Sequence, residues 1–476
     1  MAPAIGTKRF YARYAWVNRA RQAAWARWLS DRRLGSESTD DGRTRYEGRS
    51  EFERDYDRII YSSAFRRMQD KTQVFPLSPT DYTRTRLTHS LEVSTVGRSL
   101  GQMAGRFLKA EGLLPGDVSR ADLGTLVAAA CIAHDLGNPP FGHAGEAAIQ
   151  SWARRWLDKR RPALSDAERL DLLEFEGNAQ GFRIVSRLQA RERRGGLQNT
   201  LAFIGTMAKY PAASWPQGRA RDLSVAAEKK FGYFQEDKAL AESAFSTLGL
   251  VPVAEGIYRR HPLAYLMEAA DDVCYGVIDI EDAFKLRLID FTTCRTLLEP
   301  LAKATPGFRD HTADSQSSRV SRLRAAAIHA LTVACFEAFK AHLEDIEAGT
   351  FAGSLIDRAP MIDAYRELID GARRHAYNSE HVVQVACAGF RVLAGLLELF
   401  ADALTAPTLS MHDRMLLHLL PLEGFSRPGR DFTSLDAVRE QLTPAEKLLT
   451  LTDYVSGMTD SYALQQYQYL FGIRTP

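Results

Sequence analysis

Apolar residues recur at intervals of three and four along most of this 476-residue chain, the spacing that lines one face of a helix. The pattern is clearest over residues 91–108, 125–134, 145–157, 264–285, 321–342 and 382–404, while the two-residue alternation of half-buried strands is scarce. It predicts an all-α protein. Breakers separate the helices at Pro76 and Pro79, Pro115-Gly116, Gly137 to Gly142, Gly195-Gly196, Pro211 to Gly218, Pro306-Gly307 and Pro428-Gly429. The polar stretch 305–319 is the expected internal boundary. It leaves an arm over 1–47, a catalytic part over 48–304 and a C-terminal helical region over 320–476.

Composition narrows the class. With 45% hydrophobic and 25% charged residues the chain can bury a large core, and 61 basic against 59 acidic side chains argue against a nucleic-acid coat or an acidic tail. Charge is nevertheless uneven: within residues 1–34, Lys8, Arg9, Arg13, Arg19, Arg21, Arg27, Arg32 and Arg33 face only Asp31, with Trp16, Trp25 and Trp28 interleaved. Such an arm could stack on single-stranded nucleic acid. Tryptophans at helical spacing more often bury themselves, and packing is the favoured reading. The 5 cysteines are odd in number and widely separated, which predicts free thiols in a reducing compartment. The acids Glu398 and Asp402 interrupt the longest apolar run, so no membrane span is expected, and a cytoplasmic protein is.

Chemistry concentrates between Cys131 and Glu146, where His134 and Asp135 follow the apolar run 126–133 and precede a glycine- and proline-rich turn carrying His143. A buried imidazole and carboxylate side by side suit a divalent cation. His89 and the distant Asp271 supply the remaining candidate ligands. Two imidazoles and two carboxylates favour Mn²⁺ or Mg²⁺, with Fe²⁺, Co²⁺ and Zn²⁺ also compatible. Gly137 and Gly142 have the spacing of a phosphate-cradling loop, but His143-Ala144 stands where Lys-Ser or Lys-Thr is required.

Several blocks in a fixed order carry a closer likeness. They are Asp70-Lys71-Thr72-Gln73-Val74, Thr85-Arg86-Leu87-Thr88-His89, the stretch His134 to Glu146, Phe175-Glu176-Gly177-Asn178, Lys209-Tyr210-Pro211, Glu268-Ala269-Ala270-Asp271-Asp272 and Gly457-Met458-Thr459-Asp460. From about residue 48 onward the chain resembles the deoxyguanosinetriphosphate triphosphohydrolases of the HD superfamily. That resemblance implies an HD-type catalytic core that removes intact triphosphate from a deoxynucleoside triphosphate by water attack at the α-phosphorus. It implies metal ligands at His89, His134, Asp135 and Asp271, with Asp271 preferred over its neighbour Asp272. His143 and Glu146 would be a proton donor with its orienting carboxylate, or the pair handling the attacking water. Tyr275 and Asp279 would meet the sugar 3′-hydroxyl, joined by Gln73, while Arg86 and Lys209 would face the triphosphate beside Tyr210. It also implies a homo-oligomer, hexameric or tetrameric, with a nucleotide or single-stranded DNA as effector. An HD phosphohydrolase acting on another nucleotide phosphate ester, or a nucleotide- or strand-sensing regulator, are the other readings.

Overall fold

A computed structural model describes residues 18–36, 48–75, 83–217, 220–223, 225–427 and 429–475. The first seventeen residues of the arm and the breakers Pro76, Pro79 and Pro428 lie outside them. Helices dominate, as the apolar spacing predicts. Those that build the molecule around its main cavity are α1 (18–28), α2 (Glu51–Ile60), α3 (Arg86–Ala110), α4 (Arg120–Ala133), α5 (Gly142–Arg160), α6 (Gly177–Arg183), α7 (Ala264–Lys285), α8 (Gln316–Ala341), α9 (Glu380–Thr405), α10 (Pro444–Ser456) and α11 (Asp460–Leu470). Two short antiparallel strands, β1 (Ala212–Gln217) and β2 (Pro252–Tyr258), stand apart from this scheme. The stretch Pro211 to Gly218, expected as a breaker, is thus mostly strand. Its pairing register slips between Ala212 and Gln217, and a short irregular ribbon of this kind tolerates proline.

Helix α3 starts five residues before the apolar spacing does. Thr85 caps it, its side chain accepting the Thr88 amide while Thr88 caps back, so the first turn forms although Arg86 and His89 are polar and buried. Gly97, Gly101 and Gly105 recur every fourth residue on α3. A Cβ at each would lie 2.4 Å from Cys131 Sγ, 2.4 Å from the Leu123 carbonyl oxygen and 2.7 Å from Arg120 Cα. Only glycines let the two backbones approach this closely, and the antiparallel register they set brings the start of α3, with His89, opposite the end of α4, with His134.

Two hydrophobic cores result. The first gathers α3, α4, α7 and α8, while the second gathers α5, α9 and α10. The polar stretch 305–319 does not separate them: α8, which follows it, buries Val320 and Leu323 in the first core, whereas α5, which precedes it, buries Trp152 and Trp156 in the second. Helix α9 is long and apolar enough to cross a membrane by length and composition, against expectation, because Glu398 and Asp402 fall in its last two turns. Its C-terminal half packs Leu393, Leu396, Leu397 and Phe400 into the second core. Trp25 and Trp28 of the arm are buried in the first core; Trp25 donates its indole N–H to Glu347 at 2.7 Å, and the backbone of Trp28 accepts from His261 at 2.9 Å.

Candidate active site

The last residues of α4 are all apolar and buried, so the helix delivers His134, its C-cap, straight out of the core. The His134 Nδ1–H donates to the Cys131 carbonyl at 2.6 Å. That bond leaves Nε2 to face outward, 3.4 Å from Asp135 Oδ1 and 3.4 Å from Asp271 Oδ1. From α3, His89 places Nε2 3.3 Å from the same Asp271 oxygen. His89, His134 and Asp135 present ligand atoms within 4.8 Å of one another, and Asp271 joins them through its contacts with both rings. It is Asp271, not Asp272, whose carboxylate meets the imidazoles. Two imidazole nitrogens and two carboxylates converging in this way fit a divalent cation.

The electrostatics point the same way. Burial disfavours a charged imidazole at His134, but the Asp135 and Asp271 carboxylates outweigh it and bring the group up to about 9. Burial would raise Asp135, yet Arg86, donating to it at 2.6 Å, and His134 hold it down at about 2. Asp271 opposes its own burial through His134, His89 and Lys209 and lies well below the usual carboxylate range. Burial, with Glu268 and Asp271 nearby, pushes the Asp272 carboxyl up to about 8 against the pull of Lys209.

The cluster opens into a cavity of about 590 Å³ lined by Gln73, Arg86, His134, Asp135, His143, Lys209, Tyr210, Asp271, Tyr275 and Tyr377, among others. His143 is the second residue of α5 and its side chain is 79% exposed; its Nδ1 lies 2.9 Å from Glu146 Oε2, one turn on. The other Glu146 oxygen accepts the Gly177 amide at 2.8 Å, and these bonds, with Lys230 and His143 nearby, keep this buried acid below its ordinary value against the cost of burial. Lys209 lies 3.6 Å from Glu268 and 4.0 Å from Asp271, with Tyr210 beside it. Gln73 reaches the cavity, and its buried Oε1 has no hydrogen-bond partner among the described residues. Tyr275 forms part of the wall, four residues on from Asp271 along α7.

Asp279 is placed differently from the expectation. It is buried behind the wall, and its carboxylate accepts the hydroxyl of Tyr377, whose ring lies 5.8 Å from that of Tyr275. Tyr377 thus lines the cavity where the resemblance implied Asp279. It closes a wide π-type turn, Arg373–Tyr377, far along the chain, where nothing in the sequence around it marks the tyrosine out. Lys230 is a second missed residue: it lines the cavity, pairs with Glu176 at 2.9 Å and lies 4.0 Å from Glu146. His261 is structural. Its two nitrogens bond Trp28 and Leu263 backbone atoms, and burial lowers it to about 4.

The turn that leads into α5 is tightly built. Phe141 has φ 62° and Gly142 φ 58°, both left-handed, and a Cβ on Gly142 would come within 2.8 Å of the Arg86 guanidinium. Phenylalanine rarely adopts that conformation, which the surroundings must therefore hold.

The HD domain family profile matches residues 86–198, a stretch that holds His89, His134 and Asp135. A deoxyguanosinetriphosphate triphosphohydrolase-like protein of Synechocystis is 39% identical over 456 residues, covering 94% of this chain and 99% of that protein. A protein of the same description from Pseudomonas aeruginosa is 39% identical over 443 residues, covering 90% and 95%. The deoxyguanosinetriphosphate triphosphohydrolase of Salmonella typhimurium is 32% identical over 489 residues, covering 89% and 94%. With likeness running over nearly its whole length and the two histidines and two aspartates brought together, the chain belongs to the HD-domain deoxyguanosinetriphosphate triphosphohydrolase family of hydrolases.

Proposed function

We propose that this enzyme hydrolyses deoxynucleoside triphosphates, dGTP among them, to deoxynucleoside and inorganic triphosphate. One observation carries the reading: His89, His134, Asp135 and Asp271 converge beside a cavity whose lining includes the cations Arg86, Lys209 and Lys230 and the pair Tyr275 and Tyr377. His89, His134, Asp135 and Asp271 would hold the divalent cation, Mn²⁺ or Mg²⁺ being the first candidates. When bound, that ion polarises the α-phosphate and acidifies water. Arg86, Lys209 and Lys230 neutralise the triphosphate, aided by the amino end of α5, which opens on the cavity through His143 and Ala144. His143, oriented through Nδ1 by Glu146, gives its proton to the departing 5′ oxygen.

Tyr275 and Tyr377 form the sugar wall, with Gln73 at its edge and Asp279 fixing the Tyr377 hydroxyl. A ring packed under the deoxyribose leaves no room for a 2′-hydroxyl, which selects DNA precursors. Four of the five cysteines are buried and all are free, in keeping with work in the cytoplasm. Assembly into a homo-oligomer would cover apolar side chains that α9 leaves at the surface, Val383 and Phe390. The test is product identification with each deoxy- and ribonucleoside triphosphate in the presence of Mn²⁺. Inorganic triphosphate from the deoxy series alone is the expected result; orthophosphate, pyrophosphate or equal turnover of ribonucleotides would refute it.

A further inference from the structure

The block Gly457-Met458-Thr459-Asp460 has no part in the chemistry above, yet its aspartate reaches the active site. Asp460 opens α11 and is buried. Its Oδ1 accepts the amide of Phe141 at 3.0 Å, and its Oδ2 accepts the amide of Thr72 at 3.0 Å together with the Thr72 hydroxyl. These two attachment points come from separate segments that both line the cavity. Phe141 is the left-handed residue after which α5 begins, two positions before His143. Thr72 precedes Gln73 and bridges to Thr85, the cap of α3, so it fixes the entry of Arg86 and His89. Lys71 ties the same parts: its ammonium donates to the Asn138 carbonyl at 2.6 Å and to the Ser456 carbonyl at 2.8 Å, and its own carbonyl accepts the Arg86 amide at 2.9 Å.

We propose that Asp460 is a positioning residue of the active site: one carboxylate from the C-terminal helices clamps the proton-handling turn to the strand-like wall that bears Gln73 and leads to Arg86. An acceptor-only group is required, because three donors from two segments meet it, and no neutral side chain of similar size offers two acceptors in that fork. Removing it frees the Phe141 amide, the left-handed turn relaxes, and His143 drifts from the reacting 5′ oxygen. The inference rests on the triphosphohydrolase reading for its kinetic consequence and on geometry alone for the clamp.

The test compares Asp460→Asn with Asp453→Asn in the full-length enzyme. Asp453 is also a buried carboxylate of the C-terminal helices, but it engages Arg183 and Gln180. Asp460→Asn should lower kcat for triphosphate release about a hundredfold while leaving KM within about threefold, since binding groups stay and alignment is lost. Amide hydrogen exchange in the peptide holding Phe141 should accelerate in the same variant. Asp453→Asn, assayed below its melting temperature, should keep both the parental kcat and slow exchange at Phe141. If Asp460→Asn does not fold, Asp460→Glu carries the same test with a displaced carboxylate. Parental kcat in the Asp460 variant, equal kcat losses in both variants, or unchanged exchange at Phe141 would overturn the proposal. A wild-type enzyme that releases no triphosphate from any substrate would instead overturn the functional reading, and exchange at Phe141 would still decide the clamp.

Discussion

Two clusters of buried charge, one around Arg183 and one around His134, are settled in opposite ways. Around Arg183, the guanidinium groups of Arg183, Arg187 and Arg427 meet the carboxylates of Glu236, Asp237 and Asp453 at 2.7 to 3.2 Å, three charges against three. Around His134, the carboxylates of Asp135, Asp271, Asp272 and Glu268 meet Arg86, Lys209, Arg260 and the His134 imidazole, and the balance depends on protons: the neighbouring carboxylates bring His134 up to about 9, and burial pushes Asp272 up to about 8. Buried charge that is balanced by its own fixed neighbours is architecture, and here it ties α6 to α10 across the two cores. A buried cluster that keeps its balance with titratable protons beside a cavity can exchange them for a cation from outside.

Substitutions in the two clusters should therefore have opposite signatures. Asp271→Asn removes one oxygen of the proposed cation site, and triphosphate release should fall at least about a thousandfold, about 4 kcal/mol of transition-state stabilisation, with the melting temperature unchanged or raised. A variant that keeps the parental rate would erase the distinction. Arg183→Met breaks the balanced cluster, taking the guanidinium partner from Asp453 and leaving Asp237 to Arg187. Denaturant unfolding should show a loss of about 3 kcal/mol, while turnover of the remaining folded enzyme stays near parental. Lost turnover with intact stability would place Arg183 in the chemistry instead.

His261 sharpens the same point at smaller scale. Its folded value, about 4, lies below the ordinary 6.5, so the unfolded chain binds the proton first. The stability it contributes is present above about 6.5 and is lost as pH falls toward about 4, amounting to about 2 kcal/mol at pH 5. His261→Gln should flatten that part of the stability curve, and an unchanged acid slope would show that burial of this imidazole is not its cause.

The regular parts of the fold were legible in the chain because helical spacing is local. Helix α7 occupies the residues that the apolar period marks out, and Asp271 falls on it as expected. The first turn of α3 was harder to read since its buried residues are polar, and the Gly97, Gly101 and Gly105 repeat that sets the register of His89 against His134 gains meaning only once its partner helix is known. The division at 305–319 failed as a core boundary because polarity marks where chain meets water, not which helices share a core. Tyr377 and Lys230 were invisible for another reason: each is an ordinary residue set at the cavity beside neighbours more than eighty residues away, Tyr377 by Asp279 and Lys230 by Glu146. The nearness of His89, His134, Asp135 and Asp271, by contrast, could be anticipated because these residue types have few structural uses together.

The central claim is that His89, His134, Asp135 and Asp271 together hold one divalent cation that the reaction needs. Triphosphate release from a deoxynucleoside triphosphate, followed while Mn²⁺ is titrated into metal-stripped enzyme, tests it most directly. The account predicts no product without the ion, a rise that saturates as a single class of site fills, and no such rise in Asp271→Asn. Triphosphate released at full rate by the stripped enzyme, or an identical titration in the Asp271 variant, would contradict it.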